Sequence, residues 1–196
     1  MDLVEKVKGF LMEPSKTFDA SKEDTLGEAL KYYISLAAIY SILIAITYII
    51  FGSMMGFGDL GMMFGAVAGI AGAILIFVMV LIFLIIGVFI GGAIIHIFVY
   101  IVGGRKGITQ TIKALMYGQT PLLLFGWIPL IGFIAGIWAL VLEVLGIRQL
   151  HELTTGRAIL AVIVLPIILM IILTLIFAAV IATFIFGTGS TEWMDY

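Results

Sequence analysis

Ionisable side chains are scarce in this chain, and the few that interrupt its apolar runs are the first candidates for chemistry. Three stand inside such runs: His96, Lys113 and Glu143. An ionisable group at membrane depth is costly, so it is expected to be paired or functional. A lone histidine such as His96 can move a proton or hold a metal, although its commoner use is as a hydrogen-bonded packing residue. Lys113 and Glu143 have opposite signs and lie symmetrically about Ile128. If the chain folds back there they reach equal depth, which predicts an intramembrane ion pair; the alternative is that each snorkels separately to the headgroups. Gln119 and Thr120 precede Pro121, and their polar side chains are expected to satisfy carbonyls that proline, lacking an N–H, leaves free. The pair His151-Glu152 resembles half of a zinc-protease helix, but Thr155 stands where the second histidine belongs. The chain has no cysteine, which excludes disulfides, thiol catalysis and thiolate metal sites. There is no Gly-x-Ser-x-Gly, no P-loop and no pair of intramembrane aspartates. The expectation is therefore no enzyme, no cofactor and no metal.

The elements that position these groups follow from composition. Of 196 residues, 63% are hydrophobic and 11% charged, with a mean hydropathy of +1.29. Soluble domains average about 45–50% and about 25%. Too little polar surface remains for a soluble enzyme or a disordered chain. The net charge of −2 offers no basic face for nucleic acid. The expected fold class is all-α, a polytopic transmembrane helical bundle. Each uncharged run (Lys31 to Asp59, Asp59 to Arg105, Lys113 to Glu143, Arg157 to Glu192) exceeds the roughly 20 residues that cross about 30 Å of hydrocarbon. The second run is more than twice that length. Its helix is expected over 71–102, with the glycine-rich Gly61 to Gly69 as an interfacial or re-entrant lead-in and Gly56-Phe57-Gly58-Asp59 as a loop.

The central run is either one span or a hairpin turning at Gly126-Trp127-Ile128-Pro129. Charge decides between them. The basic residues fall before the first span (Lys6, Lys8, Lys16, Lys22, Lys31), after the second (Arg105, Lys106, Lys113) and before the last (Arg148, Arg157). Only the hairpin puts all of them on one side, as the positive-inside rule favours. Five spans are predicted, at about 32–51, 71–102, 109–127, 129–147 and 158–186, with the N-terminus cytoplasmic and the C-terminus outside. Residues 1–30 form a cytoplasmic segment and 191–196 a short outer tail around a 31–190 membrane domain. The first 30 residues are charged and mixed, unlike a cleavable signal. Leu3, Val7, Phe10 and Leu11 share a helical face, predicting a short amphipathic helix on the membrane surface that Glu13-Pro14-Ser15 ends. Its alternative use is as a partner-docking arm. Thr25 and Glu28 have capping-box spacing. Glycines four apart (Gly65 and Gly69, Gly87 and Gly91, Gly132 and Gly136) are expected to let helices pack closely, within the bundle or between copies.

The run from Ile128-Pro129-Leu130-Ile131-Gly132 through Ile137-Trp138, Leu145-Gly146-Ile147, His151 and Gly156-Arg157-Ala158 to Pro166 resembles the Yip domain family of Ypt/Rab-interacting membrane proteins. Gly103-Gly104 with Gly107, Tyr117 with Pro121, and Pro14 with Thr17-Phe18 extend the resemblance over nearly the whole chain. The resemblance implies a five-span helical protein with a cytosolic N-terminus. Eukaryotic members are linked to Rab-type GTPases, vesicle budding and Golgi structure. The N-terminal region here is shorter than their cytosolic tails, which points to a prokaryotic member in the cell membrane.

Two functions are expected to compete. One is a membrane-organising or trafficking-type scaffold that binds lipids or protein partners, a GTPase-like protein included, through Arg105, Lys106, Arg148, His151 and Arg157 on cytoplasmic loops. The other is a small-solute or ion transporter or channel with a polar site around His96, Gln119 and Thr120. A continuous polar cavity at His96 would favour the second.

Overall fold

The computed structural model describes residues 1–51 and 70–187. The sequence expectations for the 56–59 loop, the Gly61–Gly69 lead-in with Gly65 and Gly69, and the 191–196 tail fall outside them. The described residues are helical, with no strand among them. Helices α1 (Leu3–Met12) and α2 (Pro14–Ala20) form an N-terminal arm. Helices α3 (Leu26–Phe51) and α4 (Ile70–Ile101) follow. Then come α5 (Ile108–Gly118), α6 (Thr120–Phe125), α7 (Ile131–Leu150), α8 (Thr155–Ile159), a π-helical turn (Leu160–Val164) and α9 (Leu165–Gly187).

Among the described residues, four helices are long and apolar enough to cross a membrane: Leu26–Ile50, Ile70–Ile101, Ile131–Leu150 and Thr155–Phe184. Large apolar side chains stay exposed along them, among them Ile46, Phe83, Phe133 and Phe177. Such continuous apolar surface suits hydrocarbon rather than water. The 109–127 segment is not one of the four. It breaks at Gln119, where α5 ends and Pro121 starts α6 within the first turn. Thr120 Oγ1 donates to the Tyr117 carbonyl at 2.6 Å, the acceptor that Pro121 leaves free.

Helix α5 is the centre of the bundle: every residue from Thr111 to Gly118 is buried. It can be enclosed because glycines let its neighbours close in. A Cβ on Gly92 of α4 would come within 2.7 Å of Ile112, and one on Gly118 within 3.0 Å of the Glu143 backbone. A Cβ on Gly146 would lie 3.1 Å from Ala114 and 2.8 Å from the Phe18 ring. The pairs Ala114–Gly146 and Gly118–Glu143 make α5 and α7 antiparallel. The tight turn between them, residues 126–130, includes Leu130 at φ +66. A Cβ on Gly132 would lie 2.6 Å from the Gly126 carbonyl. The other expected packing glycines stand apart from close contacts. Around a Cβ on Gly87 nothing lies within 4 Å, and those on Gly91 and Gly136 would only touch Leu115 and Leu122 at 4.0 Å. Four-residue spacing marks a face, but the helix that meets it is set by crossing geometry.

Two capping boxes start the arm and the first long helix. Asp2 and Glu5 cap α1 reciprocally, as do Thr25 and Glu28 at the start of α3. Two helix ends are also alike. Gly103 at φ +103 closes α4, with the Gly104 N–H on the Val99 carbonyl at 2.8 Å. Glu152 at φ +55 closes α7, with the Leu153 N–H on the Arg148 carbonyl at 2.9 Å. Both are left-handed caps of the Schellman type, but only the first uses glycine, so the second is strained. The π turn at Leu160–Val164 directly precedes Pro166, which cannot donate a helical hydrogen bond.

Candidate functional site

At one end of the bundle, here called the collar, the arm and the charged turns meet. The arm does not lie apart from the helices. Phe10 and Phe18 are fully buried. Their rings stand 4.8 Å apart, and Phe10 stacks on Tyr117 at 4.8 Å. Tyr32 completes the cluster, 5.4 Å from Tyr117. Burying each phenyl ring is worth about 1.5–3 kcal/mol. The apolar stripe of α1 is wider than the seat, because Leu3 and Val4 remain exposed beside it.

A polar latch flanks the aromatic seat. Lys6, four residues before Phe10 on the same helical face, is buried and pairs with Asp24 at 2.5 Å. Tyr117 donates to the same Asp24 oxygen at 2.5 Å. Burial works to raise the Asp24 pKa, but the Lys6 and Tyr117 hydrogen bonds and the Lys6 charge outweigh it and hold the carboxyl below its usual value. Lys113 Nζ, also buried, donates to the Lys22 carbonyl at 2.8 Å, and Gln110 donates to the same oxygen at 3.4 Å. One polar face of α5 (Gln110, Lys113, Tyr117) therefore grips the linker between arm and first long helix.

This arrangement corrects the expected Lys113–Glu143 pair, which is absent from the ion pairs of the described residues. Glu143 packs against Gly118, five residues beyond Lys113. Five residues turn a helix about 140° further round and advance it roughly 8 Å. The two charges thus face different partners at different depths. Gln119 faces Glu143 and accepts from Tyr33 Oη at 3.0 Å, and Tyr33 also reaches the Leu84 carbonyl at 3.1 Å. Thr120 shares a 2.8 Å hydrogen bond with Tyr32 Oη.

His96 and His151 converge on one hydroxyl. Thr111 Oγ1 lies 2.8 Å from His96 Nδ1 and 2.9 Å from His151 Nε2, and the two rings are 6.0 Å apart. This corrects the placement of His151 among exposed contacts: it is 4% exposed, because the α7 cap turns its ring inward between α4 and α5. Burial, then the charges of His96 and Lys106, push the His151 pKa down to about 4. The relay is invisible in sequence, since its three members come from separate helices and threonine carries no signal of its own.

The remaining collar residues stay at the surface. Arg105 stacks on the Tyr100 ring at 3.8 Å and donates to the Tyr100 carbonyl at 2.6 Å. Lys106 pairs with Glu152 at 2.8 Å. Arg148 reaches Thr155 and Ser15, both at 3.4 Å, tying the arm to the turn after α7. Arg157 is exposed beside Gly103. Among the described residues no group of three or more metal-ligating side chains assembles. Open clefts among the described residues include one of about 430 Å³ lined by Gly132, Phe133, Gly136, Ile137 and Leu140 and another of about 500 Å³ along α9. Neither lining includes His96, Gln119 or Thr120.

No curated protein and no solved structure matches the chain. The Yip1 domain profile matches residues 8–178, which takes in the docked arm, the buried α5, the histidine relay and most of α9. With a helical bundle, four helices able to span a bilayer and that match over most of its length, the chain belongs to the Yip1 domain family of membrane proteins.

Proposed function

We propose that this chain is a non-enzymatic membrane organiser that holds lipids or a protein partner, such as a GTPase, at its collar. The observation that carries the proposal is the division of its polar groups. Those inside the bundle are turned toward one another, as in Tyr33–Gln119 and Tyr32–Thr120. The guanidinium and ammonium groups of Arg105, Lys106, Arg148 and Arg157 sit instead at the surface of the collar, on the turn after α4, the end of α7 and α8. Each basic group near an anionic membrane surface adds about 1 kcal/mol of attraction. The family's association with membrane trafficking and with GTPases supports a partner-binding role.

In this proposal α5 and α6 together form a fifth, broken span of about 27 Å, paired with α7 as a hairpin. The antiparallel register of α5 and α7 supports it, as does the gathering of the basic residues on one side. The N-terminus and collar face the cytoplasm, and the C-terminus lies outside. The arm's uncovered Leu3 and Val4 rest in the interface next to the bundle.

Crosslinked purification from native membranes tests the function. The parent chain is expected to retain a protein or anionic lipid that an R105Q/K106Q/R148Q/R157Q variant loses. Identical retention by both, together with solute flux in liposomes, would overturn it. A single cysteine at Gln149 tests the topology, and labelling from the outside would eliminate the five-span arrangement.

A further inference from the structure

We propose that the His96–Thr111–His151 relay is an acid-released clamp that holds the turn between α7 and α8 shut. A threonine hydroxyl has one proton to give and can accept at both lone pairs. With both rings neutral, one histidine donates to Thr111 Oγ1 and the hydroxyl donates to the other, so each bond is made at 2.8 and 2.9 Å. A proton added to His151 disturbs this balance in two ways. Both ring nitrogens of His151 become donors, yet Nδ1 has no partner and is sealed against Gly104, where even a Cβ would come within 3.0 Å. The new charge also sits in a buried ring, 6.0 Å from the His96 ring. Its surroundings offer little compensation. Lys106 and Arg105 lie on the turn after α4, Arg157 on α8 and Arg148 at the end of α7. Glu152, the carboxylate in the same turn, is engaged by Lys106 and lies near Lys22 of the arm linker.

The turn the clamp holds is strained. Glu152 sits at φ +55, a conformation L residues adopt only when the surroundings impose it. Three side-chain ties hold it there, the Lys106–Glu152 pair, the Arg148–Thr155 hydrogen bond and the His151 relay. Releasing His151 removes one tie and lets the turn relax, carrying Arg157 and the start of the last long helix away from α5.

The sign follows from linkage. The closed turn holds His151 neutral, while an open turn lets it titrate near its ordinary 6.5. The clamp is therefore intact above about pH 6.5 and is progressively lost toward pH 4. Over that interval each unit of acidification raises the open-to-closed ratio up to tenfold.

The full chain, free of cysteine and reconstituted in nanodiscs, allows a direct test with spin labels on I108C and G156C. Both sites are exposed, and a side chain at 156 meets nothing within 4 Å. One distance is expected at pH 7.5. A longer one should grow below pH 6.5 by up to tenfold per unit, and H151Q should stay closed throughout. An unchanged distribution down to pH 4.5, or the same response in H151Q, would overturn the clamp. If H151Q does not fold, the imidazole carbon signals of the parent decide the matter, since it has only two histidines. Both titrating near 6.5 while the distance remains short would overturn it; one that remains neutral until the distance lengthens would support it.

Discussion

Replacing Phe18 by alanine should release the arm without unfolding the bundle. Phe18 is fully buried, its ring packs edge-on against Phe10, and it lies so close to Gly146 that a Cβ there would come within 3 Å of the ring. Truncating such a phenylalanine costs about 3–5 kcal/mol in lost burial and residual cavity. The arm joins the rest through its two aromatic anchors, the latch and the hydrogen bonds of Arg148 and Gln149 to Ser15 and Asp19, so the loss falls on local undocking rather than on global stability. At about 1.4 kcal/mol per decade, the undocked population should rise by roughly two to three and a half orders of magnitude. Ser21 reports this directly because its side chain is fully buried beneath the docked linker. In an S21C background, thiol labelling at fixed pH follows the open population when closing outpaces labelling. Labelling of F18A within threefold of the parent would refute the argument. A second substitution checks the mechanism. G146A alone places a methyl 2.8 Å from the Phe18 ring and should cost about 1–3 kcal/mol by overpacking. In F18A the ring is gone and only the 3.1 Å approach to Ala114 remains, so G146A should cost clearly less than it does beside the ring. Strictly additive effects would mean that the two residues are not in contact.

Two further outcomes follow from the latch and the glycine contacts. Asp24 holds its charge below its usual value, so its contribution is complete above about pH 3.8 and is lost as the pH falls through the lowered value; D24N should label faster at Ser21→Cys at neutral pH and lose that acid dependence. G92V should lower thermal stability in detergent, because its branches would enter Ile112, whereas G87V, with open space around it, should shift stability by no more than about 0.5 kcal/mol.

Helix limits were legible in the sequence where apolar run and cap chemistry agreed. The first long helix starts after Thr25, whose capping box with Glu28 is read directly from spacing, and the fold-back at 126–130 is announced by glycine and proline. Pro14 is a subtler case. It ends the amphipathic run in sequence, yet it also opens α2, since its fixed φ and missing N–H suit a first turn. The site was less legible. His96 and His151 each carried a signal, but one was expected alone and the other in solvent. Lys6 looked like a surface charge and Lys113 like the partner of Glu143 or a snorkelling charge, and both are buried against the arm linker. The glycines that matter most, Gly92, Gly118 and Gly146, follow no repeat, because closest approach depends on where two helices cross.

By itself the sequence determined that this chain lives in a membrane, where its apolar runs lie and which ends of them carry charge. Those properties are local sums over composition, and the bilayer reads them without reference to any partner helix. Only the tertiary structure decided which charge meets which. A helix advances 100° per residue, so five residues between Lys113 and Gly118 send one toward the arm and the other toward Glu143. That angular choice, repeated at Thr111 and Tyr117, turned scattered polar residues into a relay and a latch.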